Sequence, residues 1–421
     1  MLSPLAALRS LSPRARGVIS AALLAILLAG LVVLDRLAIV PSVFRVSPVR
    51  AVPADLAVYA IVVAAAFACP VVAPARRRGV LLVAGAIALP VALGTWAVAL
   101  VAFIAAAIAI PRARIPIVLR FALVLVAWLV LPALRIRYLS TRGQADTILL
   151  AELWIGMLCS ALYLVIERAR ALPGEASTLR DDAFYLLAPP RVALPFFQPI
   201  SPRELVTAQR DNYPPRLLLR GAWLALYGLV LAVVAARLED LRPHVPRAIG
   251  IVAEFLAHYA RAAQAIVLAI AGFRLLGFDL PPGFRLPFLS RSFAEFFRRF
   301  NHYVRDSVVS LFYFPALGHL RHKLPRRAAS ILSSYLAIFA GSLALQDLLI
   351  PCGISVHPLH SAYALLRPHR FLAMLVMWTL IVIPNAGIIP RRKPQVPWWR
   401  VAMQIAFVDV VYAVLWYIET H

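Results

Sequence analysis

Eleven stretches of mainly apolar residues follow one another along this chain, parted by short segments that carry arginine. They are Val18–Leu34, Asp55–Val72, Gly79–Ile110, Ile117–Leu134, Thr147–Ile166, Gly221–Ala236, Ile249–Leu276, Val304–Leu317, Ala328–Ile350, Phe371–Ile389 and Val401–Ile418. About 20 apolar residues are needed to cross a bilayer as a helix. Gly79–Ile110 exceeds that and reads as two short spans broken near Pro90–Gly94, while Val304–Leu317 is short for one. Backbone in lipid must satisfy its own hydrogen bonds, and the period-2 alternation of a barrel is absent, so helices are expected. The predicted fold class is therefore all-α: a polytopic integral membrane protein with about 9–12 transmembrane helices. Composition agrees. Hydrophobic residues make up 62% of the 421 and charged residues 15%, against about 45–50% and 25% in soluble domains. Mean hydropathy is +0.83. These values exclude a soluble enzyme, a disordered chain and a fibrous repeat.

The net charge of +24 is carried almost wholly by arginine, since only Lys323 and Lys393 are lysines. A basic chain invites a nucleic-acid reading, but the cations sit in clusters at the ends of apolar runs, as in Arg76–Arg78, Arg112/Arg114 and Arg391/Arg392. That placement suits topology and anionic headgroups, so membrane lipids are the expected partners and nucleic acid is not. Val18–Leu34 follows three arginines without a clear cleavage signal and is expected to stay as a first span, rather than leave as a signal peptide. Cys69, Cys159 and Cys352 lie far apart in or beside apolar runs and read as packing residues. His357 and His360 have i,i+3 spacing, with Cys352 nearby, but Pro358 interrupts any helix and no fourth ligand is evident, so no metal site is predicted.

Two segments interrupt the hydrophobic rhythm. Arg168–Arg220 is rich in proline and charge. Pro281–Arg327 holds nine Arg/Lys against only Glu295 and Asp306. In the second, Ser290 or Ser292 is placed to cap a helix beginning near Phe293, with Glu295 in its first turn. On that helix Glu295/Arg299, Arg298/His302, Asn301/Arg305 and His302/Asp306 are i,i+4 pairs. A carboxylate one turn from a histidine orients it and makes it a better base. The same cationic, aromatic helix also fits an interfacial role, with arginine in the headgroups.

The run Gly272–Asp306 resembles the membrane-bound O-acyltransferases. Pro281, Phe284, Pro287, Phe288, Ser292, Glu295, Phe296, Arg298, Arg299 and Asn301 match that family's pattern, with Phe297 and Phe300 replacing the usual Trp. Phe196–Leu205 is similar to its upstream loop, with Gln198 where Gly is usual, and Phe312–Pro315 to its aromatic-Pro segment. The resemblance implies N-terminal transmembrane helices over residues 1–170 and an acyltransferase-like core over 171–421, with the Arg/Phe helix near 290–306. It implies transfer of an acyl group from a thioester co-substrate of the acyl-CoA type to a hydroxyl acceptor, at the membrane or outside the cytoplasm, with no other cofactor. In a bacterium the location would be the inner, or plasma, membrane. By that resemblance Asn301, His302 and Asp306 are the catalytic candidates, and Glu295, Arg298 and Arg299 the substrate-binding ones.

The family also has an essential histidine in the span after the aromatic-Pro segment. Ala328–Ile350 contains none, and Leu343 stands about where it belongs. Three expectations follow: His302 serves as base, steadied by Asp306; His357 or His360 reaches the site; or the fold persists as a scaffold or lipid-binding partner with its chemistry lost. Gln346 and Asp347 are polar groups near the end of that span. Transport ranks last, because acids within spans are few: Glu152, Glu254 and Asp409.

Overall fold

A computed structural model describes residues 4–36, 53–93, 96–139, 147–170, 177–188, 200–285, 289–299, 302–339, 372, 375–376, 379–380, 382 and 398–420. The described chain is all-helical, without a strand. Its contacts separate two compact units, residues 1–233 with 264–282 and residues 234–263 with 283–421.

The first unit is built from α1 (Pro4–Ser10), α2 (Pro13–Arg36), α3 (Pro53–Ala68), α4 (Pro74–Leu93), α5 (Trp96–Arg112), α6 (Ile117–Leu139), α7 (Thr147–Arg170), α8 (Leu179–Leu187), α9 (Pro202–Ala208), most of α10 (Pro215–Leu241) and the end of α11 (Arg247–Leu275). Six of these helices open on proline. At the first helical position the missing N–H costs nothing and the fixed φ is already helical. The expected break in Gly79–Ile110 falls between Leu93 and Trp96, one turn after Pro90. Inside a helix proline removes a hydrogen bond and clashes with the preceding turn. Helix α4 begins at Pro74, so the cluster Arg76–Arg78 forms its first turn rather than a flanking loop.

Helix α2 packs on α3, α3 on α4, α4 on α5, and α5, α6 and α7 on one another, while α8 lies against α4, α5 and α7. Glycine makes one of these approaches possible. A Cβ at Gly85 would overlap the Leu187 carbonyl oxygen at the end of α8. The polar side of α8 is neutralised as it packs. Buried Asp182 pairs with Arg112 at 2.5 Å and accepts the Ser177 hydroxyl at 2.5 Å, and Arg168 donates to the Ser177 carbonyl at 2.8 Å. In this way α8 joins the N-terminal helices of the first unit.

The second unit contains the start of α11, then α12 (Phe293–Arg299), α13 (His302–Val308), a π-helical turn Val309–Tyr313, α14 (Phe314–Leu320), α15 (Arg326–Ile338) and α16 (Trp398–Thr420). Val304–Leu317 is thus divided among three helical segments. Pro315 has no N–H for the Leu311 carbonyl, and the wider π turn carries the chain past it. Glu254 is paired with Arg242 at 3.0 Å.

Outward faces of several helices are apolar: Val98 and Val118 are about three-quarters exposed, and Ile26, Trp223, Met403 and Phe407 are also exposed. Among the described residues two helices are long and apolar enough to cross a membrane, Pro13–Val33 and Pro215–His244. Leu56–Ala68, Leu100–Arg112, Ile117–Trp128 and Ile266–Leu275 are shorter apolar helices. Cys69 and Cys159 are buried and unpaired, in keeping with a packing role, and Cys352 lies outside the described residues.

A methyl group at position 85 must displace backbone rather than a flexible side-chain tip. Gly85→Ala is expected to destabilise the protein by about 1–3 kcal/mol, read as a lowered thermal midpoint of the purified protein in detergent. An alanine at Gly318, where an added Cβ meets nothing within 4 Å, is the matched control.

Candidate functional site

The Arg/Phe segment begins with a capped helix. The Ser292 hydroxyl accepts from the Glu295 N–H at 3.2 Å, so Ser292 is the cap of α12. Glu295 in turn accepts from the Arg291 N–H at 2.9 Å and from the Arg299 guanidinium at 2.6 Å. Both carboxylate oxygens are therefore engaged in holding the helix, and Glu295 acts here as an anchor. The Arg285 N–H donates to the Arg299 carbonyl at 3.0 Å, which ties the preceding proline-rich loop to the end of α12. Phe296, on α12, and Tyr303, on α13, are buried, as is Ser290, whose hydroxyl has no hydrogen-bond partner.

Of the spacing-derived pairs, Glu295/Arg299 is present. Asp306 is engaged by its neighbour: Arg305 places Nε at 2.8 Å and Nη2 at 2.6 Å from one carboxylate oxygen, Oδ1, with Asp306 half-exposed. Arg305 also reaches the Arg298 carbonyl at 3.4 Å, where a cation meets the end of α12. Adjacent residues do not share a helix face as i,i+4 residues do, but an arginine is long enough to fold onto the next carboxylate. Arg298 is exposed and Arg299 half-buried. Asn301, the His302 side chain, Leu343, Gln346, Asp347, Cys352, His357 and His360 lie outside the described residues. No group of three or more His, Cys, Asp or Glu side chains able to hold a metal occurs among the described residues.

A second polar assembly lies in the first unit, within the proline- and charge-rich segment Arg168–Arg220 that interrupts the hydrophobic rhythm, joined by arginines of α2 and α4. The loop Gln209–Tyr213 is held there from two sides. On one side α11 ends at Gly277, whose φ of 94° lies in the left-handed region that glycine tolerates. The Gly277 N–H bonds the Arg274 carbonyl at 3.0 Å and the Phe278 N–H the Phe273 carbonyl at 2.9 Å, the paired bonds of a glycine-terminated helix. This turn then grips the loop through Arg210 N–H to the Gly277 carbonyl, 2.8 Å, and Asp279 N–H to the Ala208 carbonyl, 2.7 Å.

On the other side three arginines reach the same loop. Arg16 donates to the Asn212 carbonyl at 3.1 Å, Arg77 to the Asp211 carbonyl at 2.5 Å and Arg78 to the Gln209 side chain at 2.6 Å. Arg77 also bonds the Cys69 carbonyl at 2.8 Å and stacks 5.2 Å above the buried Tyr213 ring. Tyr213 has a φ of 45°, a costly conformation for a residue with a side chain, and these contacts hold it there. Burial pushes the Tyr213 phenol above its ordinary pKa, with Asp211 adding to that and Arg77 opposing it.

Between this loop and the first turns of α4 and α8 lies a cleft of about 820 Å³, lined by Pro74, Ala75, Arg78, Thr178, Arg180, Asp181, Val206, Gln209 and Asp211. Thr178 and Asp181 cap α8 reciprocally, and Arg78 reaches Asp181 at 3.0 Å. Partial burial of Asp181 raises its pKa, but hydrogen bonds from Thr178 and Arg78 outweigh this and hold the carboxyl below its ordinary value. The signal available in the sequence was the placement of three consecutive arginines immediately after Pro74, which makes them a helical first turn rather than a loop. Neither a protein-family model nor a curated protein matches this chain.

Because Asp181 is more acidic when folded, its ionised form stabilises the fold above the unfolded carboxylate pKa of about 3.9. That contribution fades as the pH drops through the lower folded value. Asp181→Asn is therefore expected to lower the thermal midpoint at neutral pH and to flatten its fall in acid. Midpoints of the two proteins, followed from neutrality to below about pH 3, should converge at the acid end.

Proposed function

We propose that this chain is a polytopic integral membrane protein of the membrane-bound O-acyltransferase kind, moving an acyl group from a thioester donor to a hydroxyl acceptor. The observation that carries this reading is the Pro281–Asn301 pattern, in which two prolines, paired phenylalanines and the Ser292, Glu295, Arg298, Arg299 and Asn301 set recur at the family's spacing. The membrane part is supported by the helical backbone, by apolar side chains standing exposed along α2, α5, α6, α10 and α16, and by two helices of crossing length. A soluble protein rarely leaves apolar patches of this extent in water.

In the proposed reaction the acceptor hydroxyl oxygen attacks the thioester carbonyl carbon. The C–O bond forms, the C–S bond breaks, and the proton lost by the hydroxyl passes through a base to the departing thiolate. Asn301 steadies the oxyanion of the tetrahedral intermediate by hydrogen bonding, and His302 is the nearest base in sequence. Arg305 engages one carboxylate oxygen of Asp306, and Asp306, one helical turn from His302 in sequence, steadies that base. Arg299 is committed to Glu295, and the exposed Arg298 takes the donor's phosphates by charge-assisted bonds.

A second reading is a non-catalytic scaffold or lipid-binding protein on the same fold. It is favoured by a single observation: Ala328–Ile350, where the family has its essential histidine, has none. A general base supplies about 10²–10⁴ in rate, which a leucine cannot replace.

The two readings separate on the purified protein in detergent or nanodiscs, given radiolabelled acyl-CoA donors and hydroxyl acceptors. The enzyme reading expects label transfer, a loss of about 10²-fold or more in Asn301→Ala, and a comparable loss in His302→Ala. Transfer at full rate in Asn301→Ala removes Asn301 from the chemistry. Absence of transfer with a folded protein across donors of different chain length favours the scaffold.

A further inference from the structure

The cleft of the first unit has an unusual distribution of charge. Four charged residues line it: Arg78, Arg180, Asp181 and Asp211. Asp181 is occupied by Thr178 and Arg78, and Asp211 lies 3.4 Å from the Gln209 amide and 3.9 Å from Arg77, which stands behind the wall. Asp181 is therefore closely paired, and Asp211 has a longer contact with a cation beside it. Arg78 spends Nε on Gln209 and Nη1 on Asp181, and its Nη2 has no partner among the described residues. Arg180 is exposed and makes no hydrogen bond or ion pair among the described residues. Its guanidinium lies over Gly79, where a Cβ would come within 2.5 Å of Nη2. A bare backbone position therefore gives this side chain its seat beside the cleft.

We infer that this cleft binds a phosphate-bearing group, with Arg180 and the Nη2 of Arg78 as its two cationic donors. Guanidinium is the side-chain group best matched to phosphate, because its planar N–H fork bonds two oxygens at once. The volume fits a group larger than a bare inorganic ion, within the range of small-ligand sites of about 300–1,000 Å³. Pro74, Ala75 and Val206 supply an apolar part of the wall, suited to the glycerol or acyl portion that a phosphodiester carries. The same chemistry serves two sources, the headgroup of an anionic phospholipid and a soluble phosphoester. The site belongs to the first unit alone and does not depend on the acyltransfer reading.

The test uses the full chain in detergent, titrated separately with inorganic pyrophosphate and with phosphatidylglycerol, and followed by calorimetry and native mass spectrometry. Saturable binding of either probe is expected, weakened about tenfold or more in Arg180→Gln and less in Arg180→Lys, which retains the charge but not the planar fork. Arg180 makes no hydrogen bond or ion pair among the described residues, so the thermal midpoint of Arg180→Gln without ligand should match the parent. Binding of phosphatidylglycerol alone identifies a lipid headgroup as the source, and binding of pyrophosphate alone a soluble phosphoester. Equal affinity in the parent and Arg180→Gln for both probes, or binding of neither, overturns the inference.

Discussion

Arginine hydrogen-bonded to backbone carbonyls is the interaction on which the described architecture of the first unit depends. In a helical bundle with apolar walls, a loop at the helix ends must find partners for its N–H and C=O groups. Arg16 and Arg77 bond the carbonyls of Asn212 and Asp211, and Arg168 and Arg274 do the same for Ser177 and Leu280, while Arg78 holds the Gln209 side chain. One guanidinium has five donors in a fixed fork and cannot be deprotonated in a protein. It can therefore bridge several acceptors from different segments, as Arg77 does between Cys69, Asp211 and the Tyr213 ring. Lysine, a compact and strongly hydrated charge, offers no equivalent, which gives a reason for a chain with so many arginines and only two lysines.

The same side chain has a different task in the second unit. There Arg299 and Arg305 lock Glu295 and Asp306 within one turn, and Arg305 reaches back seven residues to the Arg298 carbonyl at the end of α12. The result is a short, doubly anchored α12; from His302 the helical backbone runs through the wider π turn Val309–Tyr313 to Leu320, past Pro315.

Much of this was legible from the residues. Helix starts were marked by Pro13, Pro53, Pro74, Pro202 and Pro215, and the interruption after Pro90 by proline chemistry alone. Ser292 as a cap and Glu295/Arg299 as a pair followed from spacing, since both are contacts within one or two turns. The Asp306 contact did not. Arg305 folds onto this carboxylate from the neighbouring position, a contact that helical spacing does not suggest. Nor did the sequence separate the lipid-facing arginines from those turned inward, because Arg77 and Arg76 sit in the same triplet and differ only in which face of α4 meets the rest of the unit.

From sequence alone come the helical class, the apolar stretches and their proline boundaries, and the one motif that carries a proposed chemistry. Each rests on local rules: the length and hydropathy of a segment, the missing N–H of proline, and i,i+4 neighbours on a helix. Tertiary structure alone decided that residues far apart in the chain share the cleft, that Gly85 admits α8 and that Gly79 seats Arg180. Those are contacts across about a hundred residues or more, set by how helices pack against one another, and the order of residues along the chain does not encode that distance directly.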